Sequence, residues 1–269
     1  MIAPNSPGPL LRSLRIGRRM TQEELARRAE ISTRHLSCLE TGRALPSRTM
    51  LLILGSAMDV PLRVRNDLLA AAGFTPVYRT SPLEDPAMSH VQHAVARILR
   101  LHEPHPAMLL DRSWNILQVN GGAARLFDWC GIRLSGAGPI SLVRTLFDES
   151  LGLRSCLVNF DVIAAEVLAR VRTEADVDPS LRTLLVELER LRGKPNHGLA
   201  TGAAAAVALP IHIRRGDTDL RYFTTLTTLG TPLDVTAQEL RIEVYFALDR
   251  ATEEFGRALA ERALASRTP

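Results

Sequence analysis

The chain has 269 residues, of which 46% are hydrophobic and 23% charged, a composition typical of globular proteins. No apolar run reaches the ~18 residues that a membrane span needs, and the three cysteines form neither a disulfide framework nor a metal-binding spacing. With no signal-peptide-like start, these features predict a cytoplasmic protein without a membrane partner and exclude secreted, disulfide-rich classes.

Positive charge is concentrated at the N-terminal end of the chain. The formal net charge is +4, yet residues 1–75 contain 11 arginines, no lysine and only 6 acidic residues. The remaining residues carry 22 basic side chains against 23 acidic ones. Because a basic region attracts polyanions, this distribution predicts that the first 75 residues meet nucleic acid.

Three segments make up the N-terminal third. Residues 1–9, MIAPNSPGP, are rich in proline and glycine and are predicted to be a disordered tail. Short amphipathic helices follow over 10–72. The stretch GFTPVYRTSPLEDP contains three prolines and a glycine, so residues 73–87 are predicted to be a linker.

Within 10–72, two short helices are predicted on either side of a tight turn. Thr21 is an N-cap with Glu24 three residues later, and Ser32 caps the next helix, which ends at Gly42. Such a pair places its second helix in the major groove of double-stranded DNA. Near the start of that helix, Arg34 can donate two hydrogen bonds to a guanine edge. The Gln22 amide is suited to a phosphate contact.

The stretches TQEELA, STRHLSCLETGR and PS resemble the phage-repressor-like (XRE-type) helix-turn-helix family over residues 10–72. The resemblance implies that Ser32, Thr33, Arg34 and Ser37 contact bases or backbone, and that Arg43 contacts a phosphate. It also implies an ion pair between Arg15 and Glu40 that bridges the first and third helices. Glu30 departs from the family pattern, since it lies in a turn where the family often has glycine. A non-glycine residue at positive φ costs roughly 1 kcal/mol, so Glu30 is expected to weaken this turn slightly.

The C-terminal part is predicted to be α+β. Hydrophobic periodicity predicts strands over 107–111, 114–120, 206–215, 219–229 and 240–248, with helices over 87–102, from 121, over 160–173, 179–192 and 250–265. In the last strand, one set of alternate residues is Ile242, Val244, Phe246 and Leu248, and the other is Arg241, Glu243 and Tyr245. This alternation predicts that the first set faces the core and the second faces solvent.

Nearly the whole chain resembles the MmyB-like transcription regulators. The resemblance rests on RHLSCLETGRALPSR (34–48), AAGFTPVYRTSPLEDPAM (71–88), HPAMLLDRSWNILQVN (105–120) and LGTPLDVTAQELRIE (229–243). It implies a PAS-like domain over 88–265, with a five-stranded antiparallel sheet and helices over one face. It also suggests regulation by a fatty-acid-like ligand.

An apolar ligand is predicted to lie between the sheet and the helices of 121–192. The residues predicted to line its site are Leu110, Phe160, Leu209, Ile211 and Phe246. The competing interpretation is that these side chains only fill a core, since aliphatic alternation is what any half-buried sheet requires.

Two histidine pairs, His90/His93 and His102/His105, have a spacing that could ligate a metal on a helix. No Asp, Glu or Cys joins them at a diagnostic spacing, so surface histidines are the favoured interpretation. No catalytic residues, metal site or certain cofactor is predicted. The leading hypothesis is a ligand-modulated, homodimeric DNA-binding regulator. The alternatives are a C-terminal domain that serves only dimerisation or partner binding, and an enzyme with a fused DNA-binding head.

Overall fold

A computed structural model describes residues 7–133, 138–193 and 209–266. The described residues divide into two compact units. The first unit falls within Met1–Ser81, Arg172–Arg182 and Thr231–Gln238. The second falls within Pro82–Val171, Thr183–Gly230 and Glu239–Pro269.

Five helices form the body of the first unit: α1 (Pro7–Gly17), α2 (Gln22–Arg28), α3 (Thr33–Glu40), α4 (Arg48–Ala57) and α5 (Leu62–Ala71). Their common core takes one or more leucines from each helix, among them Leu11, Leu25, Leu36, Leu54 and Leu68, all 0–1% exposed. Burying one such side chain stabilises the fold by roughly 1.5–3 kcal/mol. Side-chain caps at Thr21, Ser32 and Ser47 begin α2, α3 and α4.

The first helix begins earlier than the sequence predicted. α1 starts at Pro7, a residue type tolerated in a first helical turn because its missing N–H has no partner there. Gly8 is buried, and a Cβ at this position would lie 2.6 Å from the Leu39 carbonyl oxygen. Residues 7–9 are therefore helical, and their predicted disorder is wrong. Residues 1–6 of the predicted tail lie outside the described residues.

The second unit is built on a five-stranded sheet: β1 (Ala107–Leu110), β2 (Ile116–Val119), β3 (Ile211–Arg215), β4 (Thr218–Thr227) and β5 (Arg241–Ala247). All neighbouring strands are antiparallel, in the order β2-β1-β5-β4-β3. The five-stranded antiparallel sheet predicted from the sequence is thus confirmed. Residues 206–208 of the predicted third strand lie outside the described residues.

The described part of the chain holds eight further helices: α6 (Ser89–Leu101), α7 (Gly121–Trp129), α8 (Leu142–Phe147), α9 (Leu153–Cys156), α10 (Phe160–Val177), α11 (Arg182–Arg192), α12 (Val235–Glu239) and α13 (Arg250–Ala265). Single 3-10 turns occupy Pro86–Met88, Glu149–Leu151 and Pro179–Leu181. Within the described residues, no helix is long and apolar enough to cross a membrane.

The register of the sheet decides which side chains share a face. Leu110 lies opposite Arg241 on β5, so Leu110, Glu243 and Tyr245 point to one face and Phe246 to the other. Glu243 and Tyr245 are each 7% exposed, whereas Phe246 is 38% exposed. The prediction that Glu243 and Tyr245 face solvent is therefore wrong. β5 lies between β1 and β4 and is buried on both faces over most of its length, a situation that alternation alone cannot reveal.

Candidate DNA-binding surface and ligand site

The predicted helix-turn-helix is formed by α2 and α3. The Thr21 hydroxyl accepts a hydrogen bond from the Glu24 amide at 3.0 Å, and the Ser32 hydroxyl accepts one from the His35 amide at 3.1 Å. Between the helices, Glu30 adopts a φ of 55°, the left-handed conformation expected of this turn. The two caps and the turn fix the direction in which α3 leaves α2.

The predicted ion pair between Arg15 and Glu40 is confirmed. Arg15 Nε and Nη2 donate to the two carboxylate oxygens of Glu40 at 2.6 and 3.0 Å, and Arg15 Nη1 donates to the Met20 carbonyl at 2.8 Å. Both side chains are buried, at 10% and 1% exposure. A bidentate pair of this kind fixes orientation as well as distance, so it locks α1 to α3.

Gln22 completes this network. Its side-chain amide donates to the Glu40 carboxylate at 2.7 Å. Burial would raise the pKa of Glu40, but the hydrogen bonds from Arg15 and Gln22 outweigh burial and lower that pKa. Sequence reasoning assigned the Gln22 amide to a phosphate. The structure shows one of its two N–H donors bonded to Glu40, and the phosphate contact stays a prediction for the other.

The recognition helix α3 has one buried and one open side. Leu36 and Leu39 are 0% and 1% exposed and belong to the core of the unit. The predicted contact positions lie away from this core: Ser32, Thr33 and Arg34 are exposed and Ser37 is half-buried, while Arg43 is exposed in the turn after α3. This arrangement leaves the first turn of α3 free to enter a groove while the rest of the helix is held in place.

In the second unit, the structure separates the predicted ligand residues. Leu110 is fully buried on β1, and Ile211 is half-buried on β3, on the same face of the sheet. Leu209 is half-buried just before β3. Phe160, at the start of α10, meets the Phe147 ring at 5.7 Å between centroids.

Phe246 does not lie with Leu110 and Ile211, because it points to the opposite face of the sheet. Its ring stacks on Phe223 at 5.0 Å between centroids and contacts the His102 ring at 5.1 Å. The assignment of Phe246 to a site between the sheet and the helices of 121–192 is therefore corrected.

Glu243 is the side chain of this region that sequence reasoning missed. Its carboxylate lies on the same sheet face as Leu110, and among the described residues its Oε2 atom has no hydrogen-bond partner. Burial raises the pKa of Glu243 to about 7, against the opposing effects of the Thr224 hydroxyl and the Arg170 charge. Nothing in the alternating sequence of β5 distinguishes this glutamate from a solvated one.

The histidine pairs divide by environment. His90 and His93 are exposed on α6. His102 Nε2 bonds the Tyr245 carbonyl at 2.7 Å, and His105 Nε2 lies 2.8 Å from the Glu253 carboxylate. Within the described residues, no group of three or more His, Cys, Asp and Glu side chains could hold a metal ion.

Comparisons with known proteins match both parts of the chain. The sequence profile of the MmyB-like transcription regulator ligand binding domain matches residues 91–259, and that of a helix-turn-helix domain matches residues 8–68. No curated protein matches the chain. Among solved structures, an RNA-binding light-oxygen-voltage receptor is 15% identical, with 94% of this chain and 62% of that chain covered and a TM-score of 0.26. This chain thus spans less than two thirds of that receptor, and so low a TM-score carries no argument.

Proposed function

The chain belongs to the MmyB-like transcription regulators, and from this premise we propose that a small apolar ligand in the second unit controls DNA binding by the first. A helix-turn-helix domain joined to a ligand-binding domain makes the chain a DNA-binding transcription regulator. The proposal has three parts: the ligand is fatty-acid-like, named residues contact DNA, and ligand binding controls DNA binding. We also propose that the protein acts in the cytoplasm.

The open first turn of α3 carries the DNA-binding part of the proposal. Arg34 reads a base edge there, because its residue is exposed at the start of a helix whose opposite side packs in the core. Arg43 contacts a phosphate. The other proposed contacts come from Gln22, Ser32, Thr33 and Ser37, with Ser32 acting through its backbone since its hydroxyl caps α3.

Arg34→Ala tests this assignment. A preferred duplex is first selected from random sequences with the wild-type protein, and affinity is then measured for that duplex and for a scrambled one. Loss of a bidentate base contact removes ~1–3 kcal/mol of discrimination, which is about a 5- to 150-fold fall in the affinity ratio. Arg100→Ala removes an equal, exposed charge from α6 and serves as the control. An unchanged ratio in Arg34→Ala contradicts the role of Arg34.

The face shared by Leu110, Ile211 and Glu243 supports the ligand part of the proposal. Leu110 gives it a buried and Ile211 a half-buried apolar side chain, and Glu243 adds one buried carboxyl group with an oxygen free of protein partners in the described residues. A PAS-like sheet holding an amphiphilic molecule would meet its chain with the apolar side chains and its head group with Glu243. Leu209 comes just before β3 in the chain, and Phe160 follows Asn159, whose side-chain amide donates to the Pro210 carbonyl at 2.7 Å.

The ligand is tested by native mass spectrometry of the purified protein and by titration with dodecanoate and tetradecanoate. A ligand that binds only the folded state raises the melting temperature, and the rise grows with the logarithm of its concentration over Kd. A ligand that regulates must also change the affinity for the selected duplex, because only differential binding shifts an equilibrium. The proposed ligand is contradicted if no bound mass is found and the fatty acids change neither the melting temperature nor the DNA affinity.

One observation favours a second candidate function, in which this unit mediates dimerisation. Phe246 and Phe223 form a stacked aromatic pair on the face opposite Leu110, and Phe246 is 38% exposed. Regulators with this kind of head bind two half-sites as dimers. Sedimentation equilibrium of Phe246→Ser checks the idea against Leu117→Ser, which removes an apolar side chain of similar exposure, 42%, from β2. A dimer lost only in Phe246→Ser supports this role.

A further inference from the structure

The loop between β4 and β5 has an unexpected position. Its residues Thr231–Gln238 belong to the first compact unit, with the five DNA-binding helices, although the two strands that it joins belong to the second. The loop carries most of the short helix α12, and its Val235 and Ala237 are 0% and 5% exposed. We call Thr231–Gln238 the β4–β5 segment.

Asp234 bonds the β4–β5 segment to the linker. One carboxylate oxygen, Oδ1, accepts from the Thr236 and Ala237 amides at 2.8 and 3.3 Å and so begins α12. The other, Oδ2, accepts from the Ser81 amide at 3.1 Å, and the Val235 amide donates to the Arg79 carbonyl at 2.8 Å. The Asp234 side chain therefore caps its own helix and also bonds the linker beside it.

Gln238 bonds the same segment to a DNA-binding helix. Its Oε1 accepts from the amide of Leu62, the first residue of α5, at 2.6 Å. The residue before Leu62 is Pro61, which supplies no side-chain cap to α5. Since the first amides of a helix have no partner within it, a glutamine 176 residues away in the sequence provides the missing cap.

The linker is also fastened to α5 itself. The Asn66 side chain accepts from the Val77 and Tyr78 amides at 3.1 Å each and donates to the Tyr78 carbonyl at 2.8 Å. α5, the linker and the β4–β5 segment are thereby joined by side-chain bonds at Asn66, Asp234 and Gln238. α5 in turn packs on α1, which the Arg15–Glu40 pair locks to α3.

We infer that the β4–β5 segment is the coupling element through which a change in β5 reaches the DNA-binding helices. β5 begins at Arg241, three residues after Gln238, and lies in the middle of the sheet between β1 and β4. Only two residues separate Gln238 from β5, so the backbone gives a change in β5 a short path to Gln238 and to its bond with α5. The contiguous chain from α12 through α5 and α1 to α3 is the physical network that such coupling requires.

Amide hydrogen exchange of the ligand-free, full-length protein tests the contacts first. Gln238→Ala removes the cap of α5, and Asp234→Asn keeps an oxygen for α12 while replacing the acceptor of the Ser81 amide with an amide group. Each variant is expected to exchange about fivefold faster, at the start of α5 for Gln238→Ala and at Ser81 for Asp234→Asn, as for the loss of one capping bond. Gln118→Ala, an exposed glutamine on β2, is the control. Wild-type exchange in both variants overturns the inference.

Transmission is tested by a mild change inside β5. Ile242 is 5% exposed, and Ile242→Val removes one methylene without a large effect on folding. In the wild-type background, Ile242→Val is expected to speed exchange in α5 at least twofold. In the Asp234→Asn, Gln238→Ala background it is expected to add no further change. An equal effect in both backgrounds, or none in the wild type, overturns the inference. Because no ligand or operator is used, this outcome is independent of whether the proposed ligand exists.

Discussion

Glu30 holds a left-handed backbone, with a φ of 55°, at the turn between α2 and α3. An L side chain is disfavoured there because its Cβ crowds the following carbonyl, which costs roughly 1–2 kcal/mol. Glycine removes that crowding. The strained position is thus a place where a residue of the DNA-binding domain can be changed in the direction of greater stability.

Substitutions of Glu30 are expected to show that glycine stabilises this position relative to alanine. Glu30→Gly should be more stable than Glu30→Ala by about 1 kcal/mol in urea unfolding. The control is Arg97, exposed within α6, where glycine should be less stable than alanine by about 1 kcal/mol. If glycine is the weaker substitution at both positions, the strain assigned to Glu30 is absent.

Glu243 is expected to make stability depend on pH. Its pKa is raised by burial from 4.5 to about 7, so the folded protein holds the proton more tightly than the unfolded chain does. The free energy of unfolding should therefore fall as pH rises from about 4.5 through about 7, with a full difference of about 3 kcal/mol.

Glu243→Gln removes the titrating group and is expected to be more stable than the wild type at pH 8, with the advantage vanishing near pH 4.5. The measurement is urea unfolding of both proteins between pH 4.5 and 8, since the difference between them cancels the other titrations. A constant difference across this range contradicts a titration of Glu243 near neutrality.

At the scale of elements, the buried Arg15–Glu40 pair is what fastens α1 to the recognition helix. Removing one partner leaves the other charge buried and unpaired, at a cost of ~3–5 kcal/mol, whereas replacing both with apolar residues can be nearly neutral. Arg15→Met and Glu40→Met are therefore expected to be strongly destabilising alone, and the double variant much less so than their sum.

A double-mutant cycle followed by urea unfolding measures this coupling. The surface pair of Arg250 and Glu254, with side chains 89% and 58% exposed, supplies the matched control and should contribute ~0–1 kcal/mol. Equal coupling energies for the two pairs would mean that burial adds nothing to the Arg15–Glu40 pair.

At the scale of the whole molecule, the concentration of positive charge in residues 1–75 has a measurable consequence. Each phosphate neutralised by the protein releases a counterion, so affinity for DNA falls steeply with salt. Arg43→Ala is expected to lower the slope of log affinity against log salt by about one, and to weaken selected and scrambled duplexes alike. Arg100→Ala should leave the slope unchanged, and an unchanged slope in Arg43→Ala would exclude its phosphate contact.

Local sequence signals determined most of the first unit. Thr21 and Ser32 cap their helices through amides only three residues away, so short motifs were enough to predict α2, the turn and α3. The Arg15–Glu40 pair was predictable through family resemblance. Gly8 was not, because its role depends on a close approach to the end of α3 rather than on its neighbours in sequence.

The sheet of the second unit was predictable from the sequence only in part. Alternation predicted five strands correctly, since a period of two marks a strand whatever lies above or below it. It could not say that β5 is covered on both faces, and so it placed Glu243 in solvent and Phe246 in the ligand site. Likewise, the bond from Gln238 to the Leu62 amide joins residues 176 positions apart. The side of the sheet that each side chain faces, and the contacts between residues distant in sequence, were decided only by the tertiary structure. Both depend on which elements meet in space.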